Sequence, residues 1–329
     1  MEGKRDLAPG SVYGDYEVDR LMFEGPQVSV YLAKHTKRRT WHELKVLWVT
    51  DARRRIRVEQ EAVFRDELRH PNIVAATEVL DIDDVQALVS EFVEGPTLAE
   101  WLRSNSTPPI QQTLALFRGL VLGVQHAHAH QVVHRDLKPS NIRLQPSSDG
   151  EYTPRICDFG IAKAIGAEFN RFGGLTTINT ALGTAGYAAP EQVRDASSVD
   201  HRADIYALGC ILYELVCGVA PFAGLSAFDT LAAQHSDRFT RPEKLAPGLP
   251  APLYELIGKL VVALPDQRLQ STDEMLARVD AVLAKFNSPI EVGIEMVTMR
   301  STDGLGMVVA LVAVPMMALL AGSIVVFAF

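Results

Sequence analysis

The chain has 329 residues, 47% of them hydrophobic, enough to bury a substantial core and too apolar for a disordered polymer. Its 40 acidic residues outnumber its 32 basic ones, and a formal net charge of -8 argues against a general nucleic-acid binder, whose affinity for phosphate backbones comes from clustered Lys and Arg. The three cysteines, Cys157, Cys210 and Cys217, are an odd number set in apolar runs, which speaks against a disulfide framework and for a reducing compartment.

The opening MEGKRDLAPG is polar and lacks the apolar core of a signal peptide, so the bulk of the chain is expected in the cytosol. Between residues 16 and 49 the runs YEVDRLM, VSVYLA and WHELKVLWV are rich in Val, Tyr and Trp and are separated by turn or polar residues; they predict an antiparallel meander. The charged stretch DARRRIRVEQEAVFRDEL carries Val58, Ala62 and Phe64 and precedes HPN, predicting one amphipathic helix that ends near His70 and Pro71. Two more β-type runs follow, the second ending in ALVSEFV. After Gly95 and Pro96 the pattern turns helical, with Leu116, Leu120, Val124 and Ala127 on a common face. A strand-rich lobe over about 14–93 therefore precedes a helix-rich lobe over about 94–283, an α+β architecture behind a tail of residues 1–13.

Residues 284–304 lack clear periodicity and read as a juxtamembrane linker. From Leu305 to Phe329 there is no charge, and as a helix these 25 or so residues would reach roughly 37 Å, enough to cross a bilayer with some tilt. Pro315 and Gly322 are tolerated in such helices. Arg300 and Lys285 precede the run, so the positive-inside bias places the N-terminal side in the cytoplasm. The expectation is a single transmembrane helix over 305–329 in contact with lipid.

The chemistry concentrates in HRDLKPSN at 134–141, ICDFG at 156–160 and AAPEQ at 188–192, with a strand lysine, Lys45, far upstream in ELKVL. Three such motifs in this order closely resemble the protein kinase family. The resemblance covers nearly all of residues 14–283 and implies a bilobal fold: a small antiparallel sheet with one helix, then a larger helical lobe. It implies ATP and Mg2+ as cofactors and transfer of the γ-phosphate to protein hydroxyls, a reaction that rests on positioning and on stabilising charge over phosphate oxygens.

By that resemblance Asp136 orients the substrate hydroxyl, and Lys138 neutralises the transferred phosphate. Asn141 and Asp158 supply the hard oxygen ligands that magnesium prefers. Lys45 pairs with the α- and β-phosphates and with a helix carboxylate, for which Glu61 has the family's separation from the HPN corner. Glu91 and Val93 fall on the segment between the lobes, where the Val93 backbone would meet adenine edges, and Ser90 would control the back pocket. Asp204 would brace the catalytic loop and Arg268 would pair with Glu191. Lys138 after HRDL and the pair Gly183-Thr184 resemble Ser/Thr kinases. DFGIAKAIG and GTAGYAAPEQ are most similar to bacterial members, implying a bacterial inner membrane. Gly173 and Gly174 loosen the segment after DFG, where Thr176, Thr177 and Thr180 are candidates for self-phosphorylation through self-association, Arg135 could pair with the phosphate, and Thr184 would contact Asp136.

The family's phosphate-covering loop, G-x-G-x-x-G-x-V, aligns with FEGPQVSV at 23–30, where Gly25 and Val30 match. Phe23 and Val28 add bulk, Pro26 lacks an N–H and Glu24 adds like charge, so weak nucleotide binding is expected. Glu43 stands two residues before Lys45, where the family usually has a small Ala packed on adenine; this carboxylate must swing outward or disturb the pocket. Two readings follow: an active, membrane-tethered Ser/Thr kinase, or a pseudokinase or nucleotide-binding scaffold.

Three further patterns have plainer readings. HAHAHQVVH spaces His126, His128 and His130 by two, which does not converge ligands on one metal from a helix. LDIDD at 80–84 reads as a β-turn rather than a calcium loop. Cys210 and Cys217, seven apart on a helix face, read as core.

Overall fold

Period-two alternation builds the first lobe. In strand β4 (Trp41–Leu47) His42, Leu44 and Val46 are buried on one side, while Glu43 and Lys45 occupy the opposite side and are only partly buried. The structure, a computed structural model, describes residues 6–26, 28–48, 68–74, 76–82, 85–105, 108–148, 150–159, 186–194, 199–287, 293–299 and 308–314. With β1 (Val12–Tyr13), β2 (Tyr16–Glu24), β3 (Val28–His35), β5 (Ala76–Ile82) and β6 (Val85–Glu91), β4 forms a six-stranded antiparallel sheet in the order β1-β2-β3-β4-β6-β5. Tyr16, Val18, Tyr31, Ala33, Leu44, Val46, Ala87 and Val89 fill the core on one face. The expected meander is present. The helix expected over 51–68, with Glu61, lies almost wholly outside the described residues.

The second lobe begins at α1 (Leu98–Ser104), whose first turn is closed by a reciprocal capping box between Thr97 and Glu100. Helix α2 (Ile110–Ala129) buries Leu116, Leu120, Val124 and Ala127, the face expected from the sequence. A hairpin of β7 (Ile142–Pro146) and β8 (Tyr152–Ile156) follows. Beyond the short α3 (Pro190–Arg194), helix α4 (Arg202–Cys217) is apolar almost all round, as the central helix of a core must be. Its buried Ile205, Leu208, Ile211, Leu212 and Leu215 each contribute about 1.5–3 kcal/mol. Helices α5 (Ala227–His235), α6 (Pro242–Leu245), α7 (Ala251–Leu260) and α8 (Thr272–Asn287) complete the lobe. The three cysteines are free, and Cys210 is buried in α4.

The chain divides into two units, Met1–Leu283 and Ala284–Phe329. In the second, β9 (Gly293–Met299) pairs antiparallel with β10 (Val308–Val314), from Val308 opposite Met299 to Val314 opposite Gly293. This corrects two expectations. The stretch 284–304 contains the end of α8 and a strand rather than an irregular linker, and residues 308–314 are a strand rather than the start of a transmembrane helix. The physical reason lies in the β-branched Val308, Val309, Val312 and Val314, which suit a pleated strand, and an uncharged run by itself does not separate strand from helix. Residues 315–329 lie outside the described part. Among the described residues no helix is long and apolar enough to cross a membrane.

Candidate active site

Lys45 projects from β4 into the cleft between the lobes, and its Nζ stands 2.7 Å from Oδ2 of Asp158. Val30 on β3 and Leu88 on β6 are its direct cross-strand neighbours and share its face of the sheet. Asp158 follows β8 in a left-handed conformation (φ 66°), which Asp adopts more readily than bulky residues. Behind Lys45, Glu43, Leu68, Ser90, Cys157 and Phe159 line a cavity of about 20 Å3. Ser90 is among the residues that border this cavity.

The loop after α2 is held from below. Asp204, 1% exposed in the first turn of α4, accepts hydrogen bonds of 2.8 Å from the backbone N–H groups of His134 and Arg135 and shares a third with His128 Nε2. Burial pushes the Asp204 carboxyl up, but the His128 contact and the N–H donors more than offset it and hold it below its ordinary value. His134 Nε2 bonds the Cys157 carbonyl at 2.8 Å, and its ring meets Phe159 edge-on. The segments 134–141 and 156–159 are thereby tied to one another.

On that platform Asp136 receives Lys138 Nζ at 2.9 and 3.1 Å. Asn141 Nδ2 donates to Oδ2 of Asp136 at 3.1 Å and to its carbonyl at 2.8 Å. The Asn141 carbonyl accepts from Cys157 N–H, which sets Asn141 beside Asp158. With the amide nitrogen committed to Asp136, Asn141 keeps its Oδ1 as an oxygen donor; together with the Asp158 carboxylate this is a hard-oxygen set suited to Mg2+.

The segment joining the lobes closes on β7 at Gly95, whose φ of 129° and close approach require glycine: a Cβ there would fall 2.0 Å from the Leu144 carbonyl oxygen. Val93 is buried, and Phe92 N–H reaches the Trp41 carbonyl. The Glu91 side chain leaves the cleft to pair with Arg155 at 2.8 Å, so only its backbone is available there. Arg143 on β7 fills the space between: Nη2 is 3.4 Å from Glu43 Oε1 and Nη1 is 3.3 Å from the Gly95 carbonyl. Glu43 therefore does not swing outward. Burial raises its carboxyl above the ordinary range, and Arg143 only partly opposes this. Sequence reasoning passed over Arg143; the available signal was a cation in the otherwise apolar I-R-L that follows Asn141.

Gly25 makes the tight turn between β2 and β3, donating to the Val28 carbonyl at 2.8 Å, and a Cβ on it would lie 3.0 Å from the exposed Phe23 ring. Across the helical lobe, Gln192 Nε2 donates to the Arg135 carbonyl, and Arg268 grips Glu191 through two bonds of 2.7 Å. The histidines of HAHAHQVVH fall into two groups: His126 stacks on His70 and meets the His130 ring at 4.5 Å, while His128 and His134 serve the loop contacts above. Glu61, Thr176, Thr177, Thr180 and Thr184 lie outside the described residues, as do Asp83 and Asp84 of the LDIDD turn.

A family model described as protein kinase domain matches residues 16–278. The serine/threonine-protein kinase PrkC of Bacillus subtilis is 33% identical over 270 residues, covering 81% of this chain and 40% of that protein. A probable serine/threonine-protein kinase of Streptomyces coelicolor, SCO3848, is 33% identical over 285 residues (84% and 41%), and PknJ of Mycobacterium tuberculosis is 33% identical over 290 (84% and 47%). The chain spans less than half the length of these curated relatives.

Proposed function

The chain belongs to the protein kinase family, and from that premise we propose that it is a Ser/Thr protein kinase moving the ATP γ-phosphate to protein Ser and Thr hydroxyls. One observation carries the reading: Asp136, Lys138 and Asn141 are joined by hydrogen bonds in the same cleft as the Lys45–Asp158 pair. Asp136 accepts from the attacking hydroxyl, and Lys138, already against it, balances the charge of the phosphate in transit. Lys45 holds the α- and β-phosphates. Asn141 and Asp158 would hold Mg2+, which when bound neutralises phosphate charge. Val93 and the Glu91 backbone face the base, with Gly25 and Val30 above the phosphates.

Sequence alone supports the remaining roles: Glu61 as partner of Lys45, Thr184 at the substrate, and Thr176, Thr177 or Thr180 as sites of self-phosphorylation between associated copies. The lack of charge over 305–329 supports attachment to a bacterial inner membrane by a route other than a helix through the strand at 308–314, with the kinase domain on the cytoplasmic side, to be tested by fractionation with salt and alkali washes. A scaffold without catalysis is the second reading, favoured by the Glu43–Arg143 pair and the single glycine in the phosphate loop. Transfer of labelled γ-phosphate from Mg-ATP to a Ser/Thr acceptor decides between them.

A further inference from the structure

We propose that Glu43 and Arg143 form an ionic latch across the base slot of the cleft, and that a nucleotide binds only by parting them. The inference rests on the cleft being a nucleotide site and concerns how that site is regulated.

Glu43 shares the cleft-facing side of β4 with Lys45 and stands opposite Ser90, whereas Lys45 stands opposite Leu88. Glu43 is therefore about 7 Å nearer the interlobe segment than the phosphate-holding lysine. Arg143 approaches the same place from below, bonded to the Gly95 carbonyl of that segment. The pair thus occupies the ground between the Lys45–Asp158 site and residues 91–95, where a base attached to phosphates at Lys45 has to lie.

The two side chains come from opposite lobes, 100 residues apart, and are 19% and 24% exposed, so their attraction is only weakly screened. A flat base cannot lie between a carboxylate and a guanidinium separated by 3.4 Å. Parting them leaves a partly buried carboxylate without its cation, an unfavourable state that weakens nucleotide binding by the same free energy. Glu43 lies in the slot where bulk alone could obstruct, and the variants below separate bulk from charge.

The test is calorimetric titration of the full chain with the magnesium complex of the β,γ-imido analogue of ATP, with a thermal melt of each variant to establish folding. E43A/R143L, which empties the slot of both charges, is expected to bind about tenfold more tightly than wild type. E43Q keeps the bulk but breaks the ion pair, and is expected to gain about threefold. A folded E43A/R143L that binds no more tightly than wild type overturns the latch. So does an E43Q equal to wild type beside a tightened double variant, because size rather than charge then closes the slot. Absence of binding by wild type and every folded variant overturns both the latch and the nucleotide reading. Phosphate transfer by wild type with no gain in the variants overturns the latch alone.

Discussion

Arg268, fully buried, holds Glu191 through two parallel hydrogen bonds of 2.7 Å while also donating to the carbonyls of Arg202, Val262 and Ala263. The arrangement anchors α3 to the body of the helical lobe. Arg268→Ala leaves the partly buried Glu191 carboxylate and the carbonyls of Arg202, Val262 and Ala263 without their donor, so a loss of about 3–5 kcal/mol in urea unfolding is expected. Arg268→Lys recovers only part of it, because Lys lacks the bidentate fork. A loss below about 1 kcal/mol would show that the pair is incidental.

Asp204 predicts a pH dependence whose sign is set by its lowered carboxyl. A group whose folded value lies below its unfolded one contributes stability above the unfolded value and loses it as pH falls through the folded one. Wild type should exceed Asp204→Asn by on the order of 3 kcal/mol at neutral pH, and the gap should narrow only below the ordinary aspartate value of 3.8. Acid unfolding curves that stay parallel through that range would contradict the role assigned to the charge.

Phe23 covers Gly25 in the β2–β3 turn, which places an exposed ring where the phosphate loop should be open backbone. Phe23→Gly should lower KM for ATP by about tenfold and leave kcat almost unchanged, since Lys45, Asp136 and Asp158 are untouched. A rise in KM would mean that the ring instead closes over the nucleotide.

Self-phosphorylation should fall within 176–180, with Thr176 or Thr177 preferred, because that segment offers hydroxyls close in sequence to the DFG motif. Mass spectrometry of protein incubated with Mg-ATP checks this, and phosphate found only elsewhere would remove these residues from the account.

Much of the site was legible because its geometry is local. The alternation in HELKV puts Lys45 on the cleft side of a strand, and the five-residue span from Asp136 to Asn141 closes a turn short enough for their side chains to meet. Asp204 and Arg268 were legible through the resemblance alone, since their partners are distant in sequence. The Glu43–Arg143 pair was not legible: Glu43 was seen to conflict with an apolar pocket, but Arg143 was passed over, and only the closure of the two lobes brings them together. The C-terminal run failed for another reason. Its lack of charge is compatible with a helix or a strand, and the strand at 308–314 depends on pairing with 293–299, which no local pattern announces.

The Asp136 constellation is proposed to transfer phosphate. The direct measurement is incorporation of label from γ-labelled Mg-ATP into a generic Ser/Thr protein acceptor by the full chain and by Asp136→Asn. The substitution is nearly isosteric and keeps oxygen and nitrogen atoms near Lys138, so the melting temperature should hold while transfer falls by about 100-fold or more. Wild-type protein that is folded and binds Mg-ATP, yet transfers no more label than Asp136→Asn, would contradict the account and leave the chain a scaffold.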